Sequence, residues 1–305
     1  MADLLSVLYN VISPIFIVAG VAWVADRRIG LDPQPLSRAL IYVFSPCLVL
    51  NSLVHSDMGG DEALSLAAVA FFGSIGMALV AWGVARAWGF DQRLESAFML
   101  GVVLINAGNY GLPLNRLAFG PEGESRAMIY FIATYMISNS LGVFLAARGS
   151  RSTWEAVRTV FTIPLPYAVF AGLFLNVTKV PLPGPVNETV GLLAQASIPS
   201  MLVVLGIQLS RAHFAGRIAP MLAAGGLRLL VSPLIALGLV LLLGLTGVTR
   251  QVAIIEAAMP SAVISSVLAT EFGADSDFVT GVVLLTTLAS ILTLSVLLLL
   301  VGWSG

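Results

Sequence analysis

The stretch Ile105–Leu114, INAGNYGLPL, interrupts an apolar segment with two asparagines, two glycines, a tyrosine and a proline. The apolar run AFMLGVVL precedes it and NRLAFG follows it. Proline removes a backbone donor and clashes with the preceding turn, and glycine weakens a helix further. In hydrocarbon the freed backbone groups need protein or water partners, so such a break is tolerated only beside a cavity or another helix. The stretch therefore predicts a broken membrane helix.

The composition of the whole chain is that of a polytopic membrane protein. Of its 305 residues, 58% are hydrophobic and 10% are charged, whereas about 25% of a soluble domain is charged. Apolar runs of about 18 residues or more recur along the chain and predict transmembrane helices in a lipid bilayer. A net charge of −1 without basic patches argues against nucleic acid as a partner. About ten spans are predicted, at 4–25, 36–54, 63–88, 96–117, 125–147, 155–177, 189–210, 219–245, 250–271 and 278–302.

Positive charges predict the orientation of these spans. Ten of the fifteen Lys and Arg residues fall in one set of loops and four in the other, and the last lies inside a span. Because Lys- and Arg-rich loops stay cytoplasmic, both termini are expected on the extracytoplasmic side of a cell (inner or plasma) membrane. The N-terminus lacks the basic region of a signal peptide, so the first span is expected to be retained.

The two halves of the chain form an internal sequence repeat. The same spacing separates Pro46 from Pro199 and Phe119 from Phe272. Five spans in each half, 1–152 and 153–305, would insert the second repeat upside down relative to the first. Inverted repeats are typical of secondary transporters, whose substrate site lies near the midplane between paired interrupted helices.

The second half supplies its own interruption at Pro260, within EAAMPSAVISS. If the two breaks cross, each following half-helix presents free N–H groups and a partial positive charge, which suit a carboxylate or another small anion. Tyr135 and Asn139 follow the first break closely and are expected beside the cavity. The residues predicted to bind substrate are Asn106, Asn109, Tyr110, Ser261, Ser265, Ser266 and Asn139. The residues predicted to shape the crossing backbone are Gly108, Gly111, Pro113 and Pro260.

Two ionisable residues lie inside spans, Arg228 and Glu256, and such residues are functional by default. Glu256 is expected to pair with Arg228, to carry a coupling proton or to hold a coupling cation. Arg228 is alternatively expected to balance the charge of the substrate. His55 and His213 have no second ligand at metal spacing, so neither a metal nor a cofactor is expected. No catalytic constellation lies at membrane depth, which argues against an enzyme.

The paired interruptions carry a family resemblance. The segments NAGNYGLPL…FG and AAMPSAVISSVLATEFGAD resemble the two crossover motifs of the auxin efflux carrier family, which includes the plant PIN carriers and bacterial organic-anion carriers. GLRLLVSP and FSPCLVLNSL are also similar to family segments. The resemblance implies an all-α fold of ten helices in two inverted five-helix repeats, in which broken spans 4 and 9 cross. This architecture is also that of sodium/proton antiporters and bile-acid symporters.

The resemblance further implies a division of labour between spans. Spans 1, 2, 6 and 7 (about 1–58 and 155–212) would form a scaffold and a homodimer. Spans 3–5 and 8–10 (about 61–150 and 218–305) would form a transport domain that moves as an elevator. The implied function is secondary transport of a small organic anion such as malate, malonate or another carboxylate, with auxin itself in doubt. The alternatives are a cation-coupled symporter of the bile-acid type, or a membrane channel or sensor that does not transport.

Overall fold

The computed structural model of the protein describes residues 4–137, 164–214, 217–271 and 273–303. All regular elements within these ranges are helices, and six of them are long and apolar enough to cross a membrane. The chain is therefore a multi-pass helical protein, as its composition predicts. The helices are α1 (Leu4–Ile29), α2 (Pro33–Val54), α3 (Gly60–Ala87), α4 (Gln92–Val103), α5 (Leu112–Ile137), α6 (Leu165–Thr178), α7 (Gly184–Arg211), α8 (Ile218–Leu242), α9 (Gly247–Ala257), α10 (Ile264–Glu271) and α11 (Ser276–Leu300).

Two of the predicted spans are interrupted in the structure. The span predicted at 96–117 is divided between α4 and the start of α5, with a wide helical turn at Ala107–Gly111 leading into α5. The span predicted at 250–271 is divided between α9 and α10. α5 then turns at Gly120, whose φ of 65° only glycine adopts readily, before it continues to Ile137.

Proline bends other helices in a regular way. Each of three Ser-Pro pairs is preceded by one wide turn, in which backbone hydrogen bonds span five residues instead of four. Such a turn accommodates the proline ring and its missing N–H within a continuous helix. The turns are Leu8–Ile12, Leu40–Phe44 and Leu227–Val231, which precede Pro14, Pro46 and Pro233.

The contacts between helices fall into two sets. α1 lies along α7, and α2 packs against α6 and α7. Gly206 of α7 lies directly against the Ala19 backbone, so the two helices meet with no room for a side chain. The Asn176 amide of α6 donates to the Leu53 and Ser56 carbonyls at the end of α2, at 2.9 and 2.7 Å. α3 packs against α4, α5 and α8, and α11 against α4, α8 and α10.

Candidate functional site

The two unwound segments meet and pair through their backbones. The Asn106 N–H donates to the Pro260 carbonyl at 2.9 Å, and the Ala262 N–H donates to the Leu104 carbonyl at 2.9 Å. The residues between form one antiparallel bridge. These bonds satisfy backbone groups that proline and glycine release from the helices, which hydrocarbon would otherwise leave without partners. Both segments contain residues that stop a helix, so their backbones are unwound and free to pair with each other.

A cavity of about 450 Å³ lies beside this crossing. Its walls are the crossing itself and the helices α2, α5, α7 and α10. Its polar lining includes the side chains of Asn106 and Asn109 from the first break, Thr134 and Tyr135 from α5 and Gln208 from α7. No charged side chain of the described residues lines it. This volume and a mostly apolar lining with a few polar groups are typical of a small-molecule site.

Two polar residues of the cavity lining have side-chain atoms without partners among the described residues. Asn106 is only 6% exposed, and its side chain makes no hydrogen bond to any other described residue. Asn109 is half-buried and lines the same cavity. Gln208, which also lines it, has a buried side-chain oxygen without a partner among the described residues. The structure thus brings the two predicted asparagines together and adds Gln208, while Asn139 lies outside the described residues.

Tyr110 is not part of the cavity lining. Its side chain is fully buried on the α1 side of the crossing, where its ring meets Phe16 edge to face with centroids 5.8 Å apart. Its hydroxyl accepts a hydrogen bond of 3.3 Å from Ser290 of α11. The sequence showed that Tyr110 belongs to the broken segment but not which way its side chain points.

The three predicted serines do not line the cavity in this structure. The Ser261 hydroxyl donates to the Gly101 carbonyl at 2.5 Å, which ties the second break to α4. The Ser265 hydroxyl donates to a backbone carbonyl three residues earlier. Ser266 is half-buried in α10. Residues 262–264, which include the start of α10, border the cavity instead.

The glycines of the first break allow close contacts. A Cβ atom on Gly108 would lie 2.9 Å from the Phe131 ring. A Cβ atom on Gly111 would lie 2.5 Å from both carboxylate oxygens of Glu256. Pro113 is buried as the second residue of α5, where a helix tolerates the missing N–H. Gly108 and Gly111 therefore admit neighbouring side chains, in addition to weakening the helix.

Glu256 is bound by a residue that the sequence analysis did not single out. Its carboxylate is fully buried and accepts a hydrogen bond of 2.8 Å from the Asn115 amide, which also donates to the Gly111 carbonyl at 3.0 Å. The second carboxylate oxygen and the Asn115 amide oxygen have no partner among the described residues. Asn115 lies one helical turn after Gly111, on the face of α5 that α9 covers. Its spacing from Gly111 places Asn115 on this face of the helix but does not predict the contact with Glu256.

Arg228 and Glu256 do not form the predicted ion pair. The Arg228 guanidinium donates to the Val102 carbonyl at 2.9 Å, to the Ala257 carbonyl and to the Ser232 hydroxyl. No acidic side chain lies within 4 Å of it in the part of the chain that the structure describes. Arg228 is also absent from the lining of the large cavity, so the structure does not place it against a substrate there.

Comparison with known proteins agrees with a transport fold. A family model described as "Membrane transport protein" matches residues 151–298. An uncharacterized transporter of Methanothermobacter thermautotrophicus is 32% identical over 266 residues, which cover 86% of this chain and 87% of that protein. An uncharacterized transporter of Methanocaldococcus jannaschii is 23% identical over 282 residues, which cover 88% of each chain. The fold and these relatives define a membrane transporter. More narrowly, the chain belongs to the membrane transport protein family, which is the auxin efflux carrier family that its crossover motifs resemble.

Proposed function

We propose that the protein is a secondary carrier for a small organic anion, such as a carboxylate, which binds in the cavity beside the crossing. One observation carries the proposal: the starts of two half-helices and two amides border the same cavity. The helical turn at Ala107–Gly111 and helix α10 both begin there. The first N–H groups of a helix have no partner within it and carry a partial positive charge.

The available donors fit a carboxylate. Helix starts and amide N–H groups bind anions without a formal positive charge, and discontinuous helices of transporters direct such starts at anionic substrate groups. Asn106, Asn109 and Gln208 all line the cavity and carry amide N–H groups that would serve as donors. The apolar remainder of the lining would accept the hydrocarbon part of the substrate.

The position of the cavity favours an elevator mechanism. It lies between helices of the expected scaffold, α2 and α7, and helices of the expected transport domain, α5 and α10. A site on that boundary would move with the crossing while the scaffold stays in place. The antiparallel pairing of the two breaks is the arrangement expected of inverted repeats, with ten spans in total. The scaffold helices would also provide the homodimer contact.

The cavity is on the arginine-rich side of the protein. Its lining includes Ser37 near the start of α2, beside Arg38, and Gln208 near the end of α7, beside Arg211. With these loops cytoplasmic and both termini outside the cytoplasm, the structure would be the inward-facing state in the plasma membrane. Cation-coupled symport of the bile-acid type stays a second candidate, since Glu256 is a buried carboxyl at the crossing.

Binding and transport can be tested separately. A thermal-shift screen of malate, malonate, other carboxylates and indole-3-acetate on the purified protein would identify a ligand, and Asn106→Ala should lose the shift. Counterflow of the radiolabelled ligand into proteoliposomes would then test transport, since a carrier exchanges substrate across the membrane and a sensor does not. Binding without counterflow would contradict a carrier. A screen in which no carboxylate shifts the wild type would contradict the substrate class.

A further inference from the structure

Arg228 bridges the ends of the two broken helices. It lies in the wide turn Leu227–Val231 of α8 and is only 2% exposed. One of its nitrogens donates to the carbonyl of Val102, next to the last residue of α4. Another donates to the carbonyl of Ala257, the last residue of α9. A single guanidinium therefore holds the C-terminal ends of the first half of each interrupted helix.

A positive charge stabilises the C-terminal ends of α4 and α9. The last carbonyls of a helix lack partners within it and carry a partial negative charge. Two such ends converge here at a depth where water is scarce, so their repulsion is weakly screened. In transporters with discontinuous helices, half-helix C-terminal ends and unwound carbonyls coordinate the coupling Na⁺ or H⁺. At this crossing, a side chain of the chain itself supplies the charge.

The contacts of Arg228 are those of a fixed cation and not those of an ion pair. Its partners are two backbone carbonyls and the Ser232 hydroxyl, which itself donates to the Ala257 carbonyl at 2.7 Å. Glu256, one residue before Ala257, is instead bound by Asn115. A small space of about 10 Å³, the size of one water, adjoins the guanidinium.

We propose that Arg228 is a positioning residue that acts as a built-in cation, and that it replaces a coupling Na⁺ at the paired C-terminal ends of α4 and α9. It holds these two ends together through their carbonyls. Transport by this protein is accordingly independent of Na⁺. The last statement rests on the proposed carrier function, whereas the charge-bridging role of Arg228 does not.

The bridging role is tested by thermal unfolding of the full-length purified protein, without any substrate. The wild type should unfold at the same temperature in sodium chloride and in choline chloride. Arg228→Ala should unfold at a lower temperature and regain much of the loss in millimolar guanidinium chloride, saturably and far below denaturing concentrations. Arg228→Lys keeps the charge but lacks the planar guanidinium, whereas Arg228→Met removes the charge and keeps most of the volume. The unfolding temperature of Arg228→Lys should therefore lie between those of Arg228→Met and the wild type.

The matched control is Leu100→Ala in α4, because Leu100 is fully buried and its removal leaves a space without removing a charge. Guanidinium should not restore this variant. Equal effects of guanidinium on Leu100→Ala and Arg228→Ala would overturn the proposal. A rise in the wild-type unfolding temperature that occurs in Na⁺ and not in choline would also overturn the proposal. This measurement needs no variant, so it decides the question even if Arg228→Ala fails to fold.

Coupling is tested by counterflow of malate, or of whichever carboxylate shifts the wild type, in proteoliposomes. The wild-type rate should be the same in sodium and choline buffers, and a Na⁺ requirement would overturn the claim that Arg228 replaces the ion. Absence of counterflow in both buffers, with the unfolding results as expected, would refute the carrier function and leave the bridging role of Arg228 standing.

Discussion

The Asn115 amide donates a hydrogen bond of 2.8 Å to the Glu256 carboxylate, 141 positions along the chain. Both side chains are fully buried, and the bond joins α5 to α9 just beyond the crossing. Gly111 lies beneath the carboxylate, and a side chain there would collide with it. One turn on each side of the crossing is therefore fixed by a single buried polar contact.

The first prediction concerns this pair. Asn115→Leu should lower the free energy of unfolding by about 1–3 kcal/mol, because it leaves the buried Glu256 carboxyl without its donor. Asn115→Leu combined with Glu256→Leu should cost less than the sum of the two single changes, since two apolar side chains need no partner. Thermal or denaturant unfolding of the four proteins measures the coupling. Strictly additive losses would show that the hydrogen bond contributes nothing.

The second prediction concerns the glycine. Gly111→Ala should destabilise the protein or prevent its folding, because the added Cβ would lie 2.5 Å from the Glu256 carboxylate oxygens. Gly111→Ala in a Glu256→Ala background should recover folding, as judged by monodisperse gel filtration. Gly238→Ala in α8 is the control, because nothing lies within 4 Å of the added atom. Gly238→Ala should be neutral or should stabilise the protein by about 1 kcal/mol. If Gly111→Ala prevents folding in both the wild-type and the Glu256→Ala backgrounds, the carboxylate is not what the added Cβ collides with.

The third prediction concerns Asn106. Since its side chain forms no hydrogen bond with the described residues, Asn106→Ala should change the unfolding temperature little. Loss of a donor to an anionic ligand should weaken binding about tenfold to a hundredfold, which corresponds to about 1.5–3 kcal/mol. Calorimetry with the carboxylate found by thermal shift measures this change. Asn10→Ala is the control, because Asn10 is an exposed residue of α1 whose side chain bonds to Ser6. Unchanged affinity in Asn106→Ala would refute the placement of the site.

The fourth prediction separates Tyr110 from the asparagines. Tyr110→Phe should leave substrate affinity and counterflow close to wild type, because the hydroxyl meets Ser290 outside the cavity lining. Asn109→Ala should reduce affinity, because Asn109 borders the cavity. The two variants are compared in the same binding titration. A large loss with Tyr110→Phe and none with Asn109→Ala would favour the sequence-based assignment of Tyr110 as a substrate ligand.

The fifth prediction concerns coupling by Glu256. A buried carboxylate without a counter-ion is costly and tends to bind a proton, and the residue accepts one neutral hydrogen bond. Glu256→Gln keeps that shape and mimics the protonated form. It should therefore fold normally and flatten the dependence of counterflow on pH. If Glu256→Gln has the same pH profile as the wild type, Glu256 has a structural role and does not couple transport to protons.

The sequence was sufficient to find the two breaks because their cause is local. Asparagine, glycine and proline disfavour a helix wherever they occur, so the breaks at Asn106–Pro113 and Pro260 are visible without any tertiary information. The direction of each side chain is not local. Ser261 bonds to α4 and Tyr110 packs against α1 because of where those helices lie, and no spacing in the sequence encodes that. Asn115 was missed for the same reason, since only the crossing brings Glu256 to it.

The hydrogen bonds that join the two breaks are made entirely by main-chain atoms, so they place no demand on which side chains the paired residues carry. Selectivity and architecture are thus separable at this point. Under the proposed function, substitutions of cavity residues such as Asn109 or Val263 would change which molecule binds and would leave these backbone bonds in place. Such a backbone frame would let related proteins change from one substrate to another by a few point mutations while they keep their fold.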